Sequence, residues 1–132
     1  MSRNDLMSDV FTMIRNAVMA KKDTVDVPSS RPVKAIIEIL KKENYIENLK
    51  LIEDKKQGIV RVYLKYMQGG KSAIRNLKRI STPGLRIYVK HTKIPSVLRG
   101  RGLVIISTPK GIISGVQAKE EKLGGEIIGY VW

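Results

Sequence analysis

Residues 102–115 constrain this chain more than any other stretch. Leu103, Val104, Ile105 and Ile106 are apolar without a break. A half-wet strand alternates, so a short unbroken run reads as a strand buried on both faces. Thr108-Pro109-Lys110-Gly111 then reads as a turn. Pro at the second position presets φ, and Gly suits the fourth position of a type I turn. Ile112 and Ile113 resume the extended chain, and Ser114 stands where a helix N-cap belongs. The stretch thus predicts a buried strand that delivers two hydroxyls, Ser107 and Thr108, and one ammonium, Lys110, to a tight tip. Turns are often polar for backbone reasons alone, so the tip by itself names no ligand.

The surrounding charge does more. Between Asp54 and Glu120 there is no Asp or Glu, while fifteen Lys and Arg occur. A field of one sign this long suggests a polyanionic partner. Solubility alone does not require acids to be absent. The 132 residues carry a formal charge of +13, and the 42% apolar content is enough for a core. No Cys is present, which excludes disulfides and thiolate chemistry. No signal peptide is expected, because residues 6–20 are amphipathic and include Asp9 and Arg15. No run approaches the roughly 20 apolar residues of a membrane span. The expectation is a soluble, cytoplasmic protein with no membrane partner.

Taken in order, Ser2-Arg3-Asn4-Asp5 resembles a capping box, with Asp for the usual Glu. Leu6, Val10, Met13, Ile14 and Ala17 share a helical face, with Arg15 and Asn16 off it and exposed. Asp5 and Asp9 suit the positive end of the helix dipole. Residues 24–27 alternate as a short strand. Pro28-Ser29-Ser30 reads as a loop and cap, with Pro32 in the first turn of a second helix. The buried face of that helix is Val33, Ile36, Ile37 and Leu40. Residues 45–52 and 59–66 read as strands joined by a hairpin connection, with Gly58 where φ can be positive.

Met67-Gln68-Gly69-Gly70-Lys71-Ser72 marks a boundary. Beyond it a strand is predicted over 73–80 and a turn at Thr82-Pro83-Gly84. Leu85, Ile87 and Val89 then face a core while Arg86, Tyr88 and Lys90 face outward. A helical turn is expected over 94–98 and a basic loop over 99–102. A helix from about 115 to 123 is ended by Gly124-Gly125, and a last strand covers 126–132. The fold class is α+β. Residues 1–68 form a small α/β unit, helix-strand-helix-strand-strand, packed on a mostly-β unit with one helix, 69–132. The net charge is +4 through Tyr66 and +9 after it. Each half is about the size at which a lone core becomes marginal, so the two are expected to pack face to face.

Several motifs fail on spacing. Gly70-Lys71-Ser72 looks like the end of a phosphate-binding loop, but Lys65 stands where its first glycine belongs. Gly100-Arg101-Gly102 opens like a dinucleotide fingerprint, but Ile105 holds the third glycine position. His91, the only histidine, reads as an exposed loop residue and seeds no zinc site. Asp5 and Asp9 could hold a cation as in a nuclease, though the dipole explains them more simply. Nothing assembles a nucleophile, a base and an orienting group, so no enzyme activity, cofactor or metal is expected. The Arg86–Tyr88–Lys90 face is more informative, since an aromatic ring flanked by cations can stack on an unpaired base while the charges hold phosphates. Neither the second helix nor the one after Ser114 is a basic recognition helix. That points away from a major-groove DNA reader and toward a strand-and-loop RNA reader.

The run over 102–119 resembles the signature of the eighth protein of the bacterial small ribosomal subunit. That signature has a Gly, two branched apolar pairs, Ser-Thr, two variable residues, Gly, two more apolar residues and, after four positions, Ala with a basic residue. Here these are Gly102, Val104, Ile105 and Ile106, Ser107-Thr108, Gly111, Ile112-Ile113 and Ala118-Lys119. The similarity extends to Arg15-Asn16-Ala17, Val27-Pro28-Ser29 and Leu123-Gly124-Gly125-Glu126. Pro109 departs from it, since many relatives have Ser there and a hydroxyl contact from that position is lost or replaced. The resemblance implies a non-enzymatic protein that binds the central domain of small-subunit ribosomal RNA early in assembly. It implies that the Ser-Thr-x-Lys-Gly loop docks on an irregular RNA helix. Some relatives also repress their own operon through a messenger site that mimics the ribosomal one.

The residue chemistry agrees with that picture. Regular A-form RNA hides its major-groove edges, so short hydroxyls on a rigid turn must meet the minor groove or distorted bases. The expected RNA surface is Ser107, Thr108, Lys110, Gly111, Arg86, Tyr88 and Lys90, with Glu126 supporting the loop or accepting from a base amino group. A weaker second surface is Arg15, Asn16, Ser30 and Lys34. The expected partners are small-subunit ribosomal RNA, neighbouring small-subunit ribosomal proteins and the operon messenger, and the expected place is the ribosome in the cytoplasm. The alternative is a sequence-tolerant DNA-binding module using the same charge.

Overall fold

The computed structural model describes residues 5–132. It begins with helix α1 (Leu6–Met19), strand β1 (Thr24–Pro28), helix α2 (Arg31–Lys42) and strands β2 (Ile46–Ile52) and β3 (Ile59–Leu64). The three strands form an antiparallel sheet in the order β1-β3-β2. Helix α2 follows its sequence period: Val33, Ile36, Ile37 and Leu40 are all buried. Ser30 caps it, its hydroxyl accepting from the Val33 N–H at 3.3 Å. Pro32 sits in the first turn, where a missing N–H costs nothing. Gly58 takes a φ of 93° in the β2–β3 connection, as its position requires.

Helix α1 departs from expectation at its cap and on its face. Its N-cap is Asp5, whose carboxylate accepts from the Ser8 N–H at 3.4 Å. The capping box drawn from Ser2 lies partly outside the described residues, and Asp5 is the cap rather than a residue inside the first turn. The buried face is Val10, Phe11, Ile14 and Ala17, while Met13 is 39% exposed. Phe11 is drawn inward because the last strand is bare beneath it. A Cβ on Gly129 would lie 2.5 Å from the Phe11 ring.

The second half contains β4 (Leu77–Arg79), β5 (Tyr88–Val89), β6 (Leu103–Thr108), β7 (Gly111–Ser114), helix α3 (Gly115–Glu120) and β8 (Gly125–Val131). Its sheet runs β4-β8-β6-β7 with β5 also paired to β8, and every pairing is antiparallel. The class is α+β. Strand β6 lies between two cores. Leu103 and Ile105 join the main core, and Val104 and Ile106 join a second one with Ile94, Ala118 and Ile127. Both faces are covered, as the unbroken apolar run requires. The main core draws on both halves of the chain, with Ile74, Leu77 and Val131 packed in the same cluster as Val10, Ile36 and Val62.

Two arginines fasten the halves together. Arg79 meets Asp5 at 3.1 Å and donates to the Ile128 carbonyl at 2.8 Å. Burial pushes the Asp5 carboxyl up, but hydrogen bonds from Arg79 and Ser8, with the guanidinium charge, outweigh it and hold the group below its ordinary value. Arg15 donates to Asn76 Oδ1 at 3.1 Å and to the Leu77 carbonyl. It is half-buried, not exposed as its place off the apolar stripe suggests, because α1 lies against β4.

Other expectations are corrected by hydrogen bonding. Residues 73–80 do not form one strand. The Arg75 and Asn76 N–H groups donate to the Trp132 carbonyl at 2.6 and 2.9 Å, and only Leu77, Lys78 and Arg79 pair with β8. Leu85 is 65% exposed in the Thr82–Leu85 turn, while Ile87 and Val89 pack inward. Residues 94–98 do not form one helical turn; single 3-10 turns lie before them at His91–Lys93 and across their end at Leu98–Gly100. His91 is half-buried. Helix α3 stops at Glu120, and Lys122 makes the left-handed exit at φ 57° that the sequence assigns to Gly124-Gly125. No helix among the described residues is long and apolar enough to cross a membrane.

Candidate nucleic-acid interface

The β6–β7 hairpin pairs Thr108 with Gly111 across Pro109-Lys110. Gly111 has φ 115° with open space around it, so a side chain there is resisted by backbone conformation and not by crowding. The Thr108 hydroxyl donates to the Gly111 carbonyl at 2.8 Å and accepts from the Lys110 N–H at 3.2 Å. Donor and acceptor are both satisfied inside the turn, and Thr108 is only 9% exposed. It is not a hydroxyl held out to solvent; it fixes the tip. Lys110 reaches Glu121 at 3.7 Å with its side chain 68% exposed. A pair so exposed contributes little and leaves the ammonium available.

The outward row lies one residue earlier. Ser107 stands opposite Glu126 on β8, and Glu126 stands opposite Tyr88 on β5. Residues directly opposite share a face of the sheet. Ser107, Glu126 and Tyr88 therefore form a line across β6, β8 and β5, roughly 10 Å long at the usual strand spacing. Tyr88 is 68% exposed. Ser107 is half-buried, and its hydroxyl takes no part in the bonds that close the turn. Arg86 donates to Glu126 at 3.0 Å while remaining 47% exposed. It neutralises the acid of the row and still faces solvent. Lys90 is exposed just beyond β5. The line offers a short hydroxyl, a carboxylate acceptor, an aromatic face and three cations.

Two glycines make this line possible. A Cβ on Gly125 would lie 1.9 Å from the Ser107 carbonyl oxygen, and one on Gly124 would lie 2.5 Å from that of Val89. Only bare backbone lets β8 begin between β6 and β5. Close approach, not helix termination, is what these positions require.

The remaining expected site residues lie elsewhere. Arg15 is bonded to Asn76 and Leu77, and Ser30 caps α2. Asn16 is exposed and Lys34 half-buried. None of the four is joined to the Ser107 row. The acid-free stretch also overstates the free charge, because Arg79 finds Asp5 and Arg86 finds Glu126, both acids outside the stretch. Asp5, engaged by Arg79 and Ser8, is not a free ligand for the cation that a nuclease reading needs.

Residues 5–132 match the family model described as ribosomal protein S8. The chain is 50% identical over 132 residues to the small ribosomal subunit protein uS8 of Streptococcus uberis, 51% to that of Streptococcus thermophilus and 48% to that of Streptococcus agalactiae. In each case the match covers the whole of both chains.

Proposed function

The chain belongs to the ribosomal protein S8 family, and on that premise we propose that it binds the central domain of small-subunit ribosomal RNA early in assembly, using the Ser107–Glu126–Tyr88 row. The observation that carries this is the row itself: an outward hydroxyl, an acceptor and an exposed ring on one sheet face, beside Arg86, Lys90 and Lys110. Such a set suits unstacked bases in an irregular helix, where the ring stacks and the small polar groups meet base edges or 2′-hydroxyls. The cations supply attraction without sequence preference. Units 1–68 and 69–132 are our reading of the domain division, with the RNA surface mainly on the second. Arg15 acts there as a brace between units, and contact by Asn16 or Lys34 with other RNA segments is secondary. Binding of the operon messenger would use the same row if that messenger presents the same RNA shape.

The test is a set of binding isotherms at several salt concentrations, on the ribosomal segment, a scrambled duplex RNA and a duplex DNA. Ser107→Ala should weaken only the ribosomal segment, by about five- to a hundredfold if a partner is left unpaired, with an unchanged salt slope. Lys90→Gln should weaken every nucleic acid and reduce the slope by roughly 0.7–0.9 per lost phosphate contact. Equal losses on all three nucleic acids for Ser107→Ala would remove the reading role and favour sequence-tolerant binding.

A further inference from the structure

We propose that Glu121 determines specificity: it draws Lys110 to the α3 side of the sheet and repels nucleic acid there, so that the lysine serves RNA seated on the Ser107 row. This rests on the RNA-binding reading of that row and adds a residue that acts against the wrong complexes. Residues 67–132 contain three acids, Glu120, Glu121 and Glu126. Two of them meet a cation of the candidate surface. Glu126 meets Arg86 at 3.0 Å, and Glu121 meets Lys110 at 3.7 Å.

The two pairs lie on opposite faces of the sheet. Side chains alternate between faces along a strand. Ile106, Ile127 and Val89 all point into the second core. Ser107, Glu126 and Tyr88 are their immediate neighbours in the chain, so the row points to the other face. Ala118 of α3 belongs to the second core, which places α3 and its Glu121 on the face away from the row. Lys110 stands at the hairpin tip, between the two faces. Its side chain is 68% exposed on a flexible four-carbon stem, so the ammonium can turn to either side.

Helix stability does not account for Glu121. It is the C-cap of α3, the end at which the helix dipole disfavours an acid. Yet the carboxylate is held. Gln117 Nε2 donates to Glu121 Oε2 at 2.8 Å, and the other oxygen faces Lys110. The helix beneath it is held too, because the Ser114 hydroxyl accepts from the Gln117 N–H at 3.2 Å and a Cβ on Gly115 would lie 2.9 Å from that of Val104. The α3 side also exposes Lys93, Lys119 and Lys122, which attract any phosphate backbone. A phosphate taken up by Lys110 on that side meets the Glu121 carboxylate at close range. A phosphate taken up on the row side has the sheet between it and that charge. A repulsive group set against the wrong complex is one of the two ways to build specificity.

The experiment compares Glu121→Gln and Glu120→Gln in the full chain, on the ribosomal segment, a scrambled duplex RNA and a duplex DNA at several salt concentrations. Glutamine at 121 keeps the shape and can still accept from Gln117, so the charge alone is removed. Glu121→Gln should tighten binding to both non-cognate duplexes by about three- to tenfold, steepen their salt slope by roughly 0.7–0.9, and leave the ribosomal segment within about twofold. Glu120→Gln changes the net charge equally, but Glu120 forms no ion pair among the described residues, and its effect should stay under about twofold throughout. Adding Lys110→Gln to Glu121→Gln should abolish the non-cognate gain. Equal gains from the two acid variants would reduce the effect to net charge and overturn the proposal. So would an equal gain on the ribosomal segment, no gain at all, or a gain that survives the loss of Lys110. A wild-type protein with no preference for the ribosomal segment would overturn the RNA reading itself.

Discussion

The two halves of this protein reach a packed core by different routes. No glycine occurs before Gly58, while ten of the eleven lie from Gly69 onward. In the first half, side chains fill the space: Val33, Ile36, Ile37 and Leu40 of α2 pack in one cluster with Val60 and Val62 of β3. In the second, bare backbone admits neighbours. Gly125 seats the Ser107 carbonyl, and Gly129 seats the Phe11 ring and the Lys78 carbonyl. A side-chain core loses stability in proportion to the volume removed. A contact made by the absence of a Cβ has no such gradation, because the first carbon added is already too close. That second route brings three strands near enough to align Ser107, Glu126 and Tyr88, so the half with the tightest backbone is also the half with the candidate site.

The largest expected effect tests that contrast directly. Gly125→Ala should destabilise by about 3–5 kcal/mol, since its Cβ meets backbone and not the end of a flexible side chain. Chemical denaturation measures it, and a loss under about 1 kcal/mol would show that β8 shifts easily and that the contrast is false. Leu40→Ala removes volume from a fully buried site of the first half and should cost about 2–4 kcal/mol. A single transition in fluorescence and circular dichroism is expected, because the main core is shared. Two separate transitions would instead sharpen the division into units.

Arg79→Ala leaves the Asp5 carboxylate partly buried beside a vacated guanidinium, and should cost about 1.5–3 kcal/mol. The linked pH dependence has a definite sign. The Asp5 carboxyl lies below its ordinary value, so its contribution is fully present above about pH 4, the unfolded value. It is lost as pH falls through the lower folded value. The stability gap between wild type and Asp5→Asn should therefore close on acidification below about pH 4, and a constant gap would rule out the charged pairing. The smallest effect is expected for Arg61→Ala. Arg61 meets Asp26 at 2.8 Å, closer than Arg79 meets Asp5, yet both side chains are 40% exposed. Its denaturation midpoint should not move, since water and salt already screen such a pair. A shift as large as that of Arg79→Ala would mean that distance, not burial, sets the strength of these bridges.

What the sequence determined by itself was local. The α2 stripe, the cap at Ser30, the doubly buried β6, the positive φ at Gly58, the turn before Gly111 and the cap at Ser114 all follow from residues within a turn or two of one another. Periodicity, turn chemistry and capping act over that range, so they can be read along the chain. The tertiary structure decided what depends on register. Ser107 and Thr108 are adjacent hydroxyls, and nothing in their order says that one closes the turn while the other stays out of it. Arg86 and Glu126 are forty residues apart, and Arg79 and Asp5 seventy-four, yet each pair meets. Charge counts belong to the sequence, but free charge depends on which partners the sheets bring together. Gly124-Gly125 carries the same lesson. A glycine is chosen either for its φ or for its missing side chain, and only the Ser107 and Val89 carbonyls lying against the pair show that the second reason holds here.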